Sequence, residues 1–350
     1  MELPSSHSTP IRVILLMISV FSMLNPPAEA ALGINYGQLG NDLPPPDQAV
    51  KLIKSIGATR VKIFDANPAI IQALANTDIE LGVMVKNDEM GPLGNLDAAL
   101  AWVNKNVVPF LPATNITTIA IGNEILAQND PALAGNLFPA MQNVYAALTQ
   151  LGLQKQIFVT TPHAYNIMGA SYPPSAGAFR QDMLEIIKHI LDFCVLTGAP
   201  FWVNVYPFFV YKDNSKDVDI NYATFRTPVA GVDDPATKLH YDNLLFAQVD
   251  AVHAAIASLG YPQIPVHVTE TGWPSAGDPT DIGVSYDNAA SFNGNLKKLV
   301  AAGKTTPFGP NSELVAYIFA LFNENMKTGP TIEKNFGLFY PNGTAVYTIN

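Results

Sequence analysis

Eight short apolar runs, spread along residues 32–324, most constrain what this chain can fold into. They are LGINYG (32–37), RVKIFD (60–65), ELGVMV (80–85), TTIAIGNE (117–124), IFVTTPH (157–163), FWVNVYPF (201–208), PVHVTETGW (265–273) and LVAYIFALFNE (314–324). Each is flanked by turn residues, the pattern of strands buried on both faces of a parallel sheet. Helical periods lie between them. In 133–151, Leu137, Met141, Val144, Leu148 and Leu151 recur at steps of three and four, and in 240–259 Leu245, Val249, Val252, Ile256 and Leu259 do the same. Gly57, Gly152, Gly198, Gly260 and Gly303 follow helical runs, where a residue with positive φ is wanted. Eight strand–helix alternations without a break in composition predict one (β/α)8 TIM barrel. A doubly wound sheet is the competing arrangement, but no G-x-G-x-x-G follows the first strand. The longest irregular stretch, 208–239, is rich in Tyr, Asp, Asn and Thr, and its length predicts a functional excursion at the barrel mouth rather than a linker.

With 48% hydrophobic and 14% charged residues, the 350-residue chain can bury a large core. Its single cysteine, Cys194, excludes an intramolecular disulfide framework and a Cys-rich zinc module. Cys194 lies in the apolar run IIKHILDFCVL and is expected to be a buried small hydrophobe. A formal charge of −10 argues against a nucleic-acid partner, which wants a basic face. Residues 1–30 read as an export signal. Arg12 precedes the apolar run Val13–Leu24, Asn25, Pro26 and Pro27 break any helix, and Ala28-Glu29-Ala30 fits the small-x-small cleavage pattern. That run is about twelve residues, short of the roughly twenty a membrane span needs. Residues 31–350 are therefore expected to be the mature, secreted protein. The ending FGLFYPNGTAVYTIN has no apolar tail of the kind that directs a lipid anchor. In an exported chain, Asn115-Ile116-Thr117 and Asn342-Gly343-Thr344 are candidate glycan acceptors.

In a barrel of this kind reacting groups sit at the carboxyl ends of the strands. That rule selects Asp65, Glu124, Glu270 and Glu324, after strands two, four, seven and eight. A carboxylate at the end of an apolar run is partly desolvated and needs a partner or a task; a salt bridge or a loop-fixing hydrogen bond is the simpler assignment. Glu124 has Gly122 for close backbone access and Asn123 beside it. Glu270 is followed by Gly272 and by Trp273, a flat apolar surface suited to a sugar face. Two carboxylates across a groove, one protonated and one ionised, are what glycoside hydrolysis requires. His163 closes strand five and could line the cleft, while alternation along strand seven sets His267 opposite Glu270 and against a helix. The histidines show no H-x-H or H-E-x-x-H spacing, so no metal site is expected, and neither a G-x-S-x-G elbow nor a P-loop occurs.

Six motifs then occur in order: GINYGQLGNDLP, RVKIFDANP, AIGNEIL, VNVYPFF, VTETGWPSAG and FALFNENMKTG…EKNFGLFYPNG. Through them the chain, over essentially 31–350, resembles the plant endo-1,3-β-glucanases of glycoside hydrolase family 17. The resemblance implies a (β/α)8 barrel with Glu124 as general acid/base and Glu270 as nucleophile of a retaining reaction. It implies Glu324 and Lys327 as an auxiliary pair, and Tyr36, Asn123, Tyr206 and Phe209 as pocket side chains that bond or stack with sugar. It also implies a β-glucan substrate, no cofactor, a monomer, and a place in the extracellular space and cell wall. The Cys-rich glucan-binding module of some relatives cannot be built with one cysteine. Alternatives at this stage are a hydrolase of mixed 1,3;1,4-β-glucan, a transglycosylase, and a non-catalytic glucan-binding wall protein.

Overall fold

The computed structural model describes residues 32–309 and 314–349; the expected export signal lies outside them. The parallel strands are β1 (Leu32–Tyr36), β2 (Arg60–Ile63), β3 (Glu80–Val85), β4 (Ile116–Ile121), β5a (Phe158–Thr160), β5b (Pro162–Ala164), β6 (Phe201–Asn204), β7 (Val266–Thr271) and β8 (Ala316–Ile318). They hydrogen-bond in the order β5a-β4-β3-β2-β1-β8-β7-β6-β5b. The two edge strands are consecutive in the chain, separated only by Thr161, so the sheet closes on itself as an eight-stranded barrel whose fifth strand is broken in the middle.

Residues of one parity pack outward under the helices. Ile34, Val61, Ile63, Leu81, Val83, Ile119, Ile121, Val203 and Val268 belong to one continuous core with the helical side chains. The other parity fills the barrel: Met84, Ala120 and Trp202 form a separate cluster, and Tyr317 meets Trp202 at 6.1 Å between ring centroids. Gly33 has no side chain because the Tyr317 ring occupies the place a Cβ would take. Pro131–Gln150 shows how a helix is specified. Asp130 caps it by accepting from the amides of Ala132 and Leu133, Pro131 opens it, and Leu137, Met141, Val144 and Leu148 bury one face. Gly152 follows with φ 71°.

Four expectations change. The run 201–208 is strand only to Asn204, because Pro207 opens the helix Pro207–Asp213. The stretch 208–239 holds that helix, a second at Ile220–Ala223, and half of a small antiparallel pair in which Val232–Asp233 meets His240–Tyr241. The helix expected from 240 therefore begins at Leu244, capped by Asn243. After β8 no α-helix follows among the described residues; the segment has Gly329, Pro330 and Gly337 in place of an apolar period, and folds as the 3-10 turn Thr331–Lys334. No helix among the described residues is long and apolar enough to cross a membrane.

Candidate active site

A groove of about 850 Å³ opens over the carboxyl ends of the strands. Asp65, Glu124, Glu270 and Glu324 all line it, so all four strand-end acids converge on one cavity. The groove continues on both sides. Asp65 and Lys86 are shared with an adjoining depression of about 840 Å³, and Val210 and Gln248 with one of about 570 Å³.

Glu270 reaches the groove because β7 is irregular. Val268 lies beside Val203 of β6, yet Glu270 lies beside Asn204, so two steps along β7 match one along β6. This bulge turns Glu270 to the inner face, which strict alternation from Val268 would deny it. It also corrects the expectation for His267: paired with Trp202, it faces the barrel interior as Glu270 does. Burial and the nearby Arg60 hold the His267 imidazole down at about 3, hence neutral.

The Glu270 carboxylate is held at both oxygens. The Lys62 ammonium lies 2.7 Å from Oε1, with the two side chains 0% and 7% exposed, and the Tyr206 hydroxyl donates to Oε2 at 3.0 Å. Burial lowers the Lys62 pKa, and the Glu270 charge opposes that shift. The Tyr206 phenol is pushed far up, first by burial and then by the Glu270 and Glu124 charges, so it remains a donor. Lys62 is a functional residue that sequence reasoning missed. Its signal was a lysine in the apolar run RVKI, at the parity that points into the barrel.

Glu124 stands in a different environment. It follows β4 with φ 54° and ψ 36°, a left-handed conformation that costs a non-glycine residue about 1 kcal/mol or more. Gly122 before it has φ 62°, and a Cβ there would press on Ile125. The Glu124 amide donates to the Pro162 carbonyl, and Asn204 Nδ2 donates to Oε1 at 2.8 Å. Burial raises the Glu124 pKa above the ordinary glutamate value and the Glu270 charge raises it further, while the Asn204 bond and Lys62 pull the other way. The groove thus holds one carboxyl inclined to keep its proton and one paired with a buried cation.

Glu324 accepts the Leu39 amide at 2.7 Å, and burial raises its pKa despite Lys327. Lys327 Nζ sits 3.8 Å from Glu324 and 3.9 Å from Glu333, over the Phe319 ring. Gly37 is required here, since a Cβ would overlap the Glu324 carboxylate. Asn123, Tyr206 and Phe209 line the groove as expected; Phe209 is a half-exposed ring edge-on to Tyr206. Asn123 exchanges backbone bonds with the Asn87 amide, and its own Oδ1 has no partner among the described residues.

Three expected residues are elsewhere. Trp273 is 0% exposed, wedged among Phe208, Tyr211 and Phe292 with its indole N–H on the Gly283 carbonyl, and offers no face to sugar. Gly272, pressed against the Phe319 carbonyl, marks where the chain leaves the rim. Tyr36 shares the outward parity of Leu32 and Ile34 and packs on Phe322 in the core rather than lining the groove. His163 is also in the core, stacked on Phe201, and burial holds its pKa down at about 3. Cys194 is buried as expected, its thiol pushed up to about 12. Asn115 and Asn342 both have exposed side chains. Among the described residues no cluster of His, Cys, Asp or Glu could hold a metal ion.

Comparison with known proteins agrees with this geometry. The sequence profile described as Glycosyl hydrolases family 17 matches residues 32–350. An Arabidopsis thaliana protein named glucan endo-1,3-beta-glucosidase 11 is 49% identical over all of this chain and 82% of its own length. Another from that plant, glucan endo-1,3-beta-glucosidase 10, is 48% identical over 96% of this chain and 79% of its own. A solved beta-1,3-glucanase and allergen of Cryptomeria japonica pollen superposes with a TM-score of 0.87 at 42% identity, over 91% of this chain and 98% of that one. The chain, a (β/α)8 barrel with two unlike carboxyl groups over its mouth, belongs to glycoside hydrolase family 17.

Proposed function

We propose that this glycoside hydrolase cleaves internal 1,3-β-glucosidic bonds of β-glucans by double displacement, with Glu124 as acid/base and Glu270 as nucleophile. The observation that carries the assignment of roles is the unlike setting of the two carboxyl groups in one groove. Glu124 keeps its proton through burial and the Glu270 charge, and gives it to the glycosidic oxygen as the bond breaks. Glu270, held and oriented by Lys62 and Tyr206, attacks the anomeric carbon and forms a glycosyl ester. Esterification removes the Glu270 charge. The repulsion that added to the effect of burial then disappears while Asn204 and Lys62 still lower the Glu124 pKa, which falls back toward that of an ordinary carboxylate and lets Glu124 activate water for the second displacement. Phe209, Asn123, Glu324 and Lys327 contact or orient the sugar, and the continuation of the groove on both sides suits attack within a chain.

A non-catalytic binder would gain nothing from placing Glu124 in a left-handed conformation beside a second buried carboxylate. In this reading residues 1–30 direct export and are removed, residues 31–350 act in the extracellular space or wall, and Asn115 and Asn342 carry glycans. The test is hydrolysis of laminarin by Glu124→Ala and Glu270→Ala, each checked for native circular dichroism. Both are expected to fall at least about 100-fold, and the wild type to release β-configured reducing ends first by proton NMR. Near-normal turnover by folded Glu270→Ala, or α-configured product, overturns the assignment.

A further inference from the structure

Two hydrogen bonds in series cross from β7, the strand of Glu270, to the other carboxyl group. Thr269 Oγ1 donates to Asn204 Oδ1 at 2.9 Å, and Asn204 Nδ2 donates to Glu124 Oε1 at 2.8 Å. Thr269 is 0% exposed and Asn204 1%. Asn204 lines the groove and Thr269 does not, so Thr269 can act on the reaction only through Asn204. The bulge sets Thr269 in place. It is the residue of β7 without a counterpart on β6, between Val268 beside Val203 and Glu270 beside Asn204. Its carbonyl accepts from Asn35 Nδ2 at 3.1 Å, which ties this extra residue to β1.

Buried threonines elsewhere bond to backbone: Thr160 donates to the Pro200 carbonyl and Thr114 to the Ile71 carbonyl. Thr269 instead donates to a side-chain amide, and this decides which way the amide faces. A primary amide has nearly the same shape in its two orientations, so its partners choose between them. Turned over, Asn204 would point its carbonyl oxygen at Glu124 and Nδ2 at Thr269, and the buried Thr269 proton would lose its acceptor; among the described residues it has no other. A carbonyl beside Glu124 would accept from the protonated acid but repel the carboxylate. The orientation present does the reverse.

We propose that Thr269 is a positioning residue for the acid/base: its hydroxyl fixes the Asn204 amide with Nδ2 toward Glu124, so that the carboxylate needed in the second displacement meets a donor. The inference rests on the glucanase reading and deepens it. In that step a water oxygen bonds to the anomeric carbon, its proton passes to Glu124, and the ester bond breaks to return the Glu270 carboxylate. The charged groups that bear on Glu124 are Glu270 on β7, Lys62 on β2 and Glu333 in the 3-10 turn after β8. All are kept in the variants below, so a difference between variants reports on the amide.

Thr269→Val keeps the shape of the side chain and removes the hydroxyl, Thr269→Ser keeps the hydroxyl, and Thr269→Ala removes it without adding bulk should valine not be accommodated. Each is checked for native circular dichroism. Two pH profiles are recorded. The alkaline limb of kcat/KM on laminarin follows proton loss from Glu124 in the free enzyme. An aryl β-laminaribioside with a good leaving group needs no proton for its departure, so the second displacement limits kcat and its acid limb follows Glu124 in the glycosyl-enzyme. In the valine and alanine variants both limbs are expected to move to higher pH, with kcat on the acid limb falling about fivefold, the weight of one hydrogen bond. Thr269→Ser is expected to keep the wild-type profiles. Rates that fall equally at every pH with both limbs unmoved, or a serine variant shifted as far as valine, overturn the positioning role and leave the glucanase reading intact. A wild type that hydrolyses no laminarin overturns the reading and this role with it.

Discussion

Replacing Lys62 by methionine keeps the length of the side chain and removes one charge from the barrel interior. In the wild type the ammonium and the Glu270 carboxylate are 2.7 Å apart and almost wholly shielded from water. Removing one member of such a pair costs about 3–5 kcal/mol at neutral pH, because the other is left buried without its counter-charge. At about 2.1 cal/mol/K per residue over roughly 320 residues, a loss of about 4 kcal/mol lowers Tm by about 6 °C. Activity falls further than stability, because the nucleophile loses its fixed electrostatic partner; kcat/KM should drop by about 100-fold or more. Differential scanning fluorimetry and laminarin kinetics at pH 7 read both effects. A Lys62→Met enzyme with wild-type kcat/KM and an unchanged Tm at pH 7 would refute the reasoning.

Two further outcomes follow from the charges around Glu124. In Asn204→Ala the bond that favours ionised Glu124 is gone, so the Glu124 pKa rises further and the alkaline limb of kcat/KM shifts upward; a downward shift contradicts the stated balance. Glu124→Gln should lose activity yet gain Tm at pH 7. Because the folded pKa of Glu124 is raised, the folded chain holds this proton more tightly than the unfolded chain, and stability is lost as pH rises from the ordinary glutamate value through the folded one. Glutamine removes that loss, and the difference in Tm should vanish at pH values below the ordinary glutamate pKa. A Tm below wild type at pH 7 would contradict the sign.

The barrel and the convergence of its acids were legible because both are properties of alternation. Strands buried on two faces leave continuous apolar runs, and their carboxyl ends share one rim whatever the intervening loops do. What escaped the sequence depends on departures from alternation. The bulge in β7 leaves no compositional trace, yet it decides the face of Glu270 and misplaced His267 in a reading that assumed strict period two. Trp273 lies three residues from Glu270, but after Thr271 the chain turns off the rim and the indole goes beneath Phe208 and Phe292. Tyr36 was assigned by resemblance, whereas its outward parity with Leu32 and Ile34 would have placed it in the core. Lys62 was the opposite case: a charged residue inside an apolar strand is readable, and its inward parity already pointed to a buried partner. The adjoining cavity and Gln248 depend on long-range packing between the excursion after β6 and the loop after β5b, which no local period encodes.

The central claim is that Glu270 forms a bond to the sugar while Glu124 manages the proton. Incubation with an activated 2-deoxy-2-fluoro laminaribioside, followed by proteolysis and peptide mass spectrometry, tests it most directly, because the fluorine slows hydrolysis of the ester and lets it accumulate. A single adduct on Glu270, in the peptide containing VTETGWPS, is the expected result. An adduct on Glu124 or any other residue, or full inactivation without covalent labelling, would contradict it.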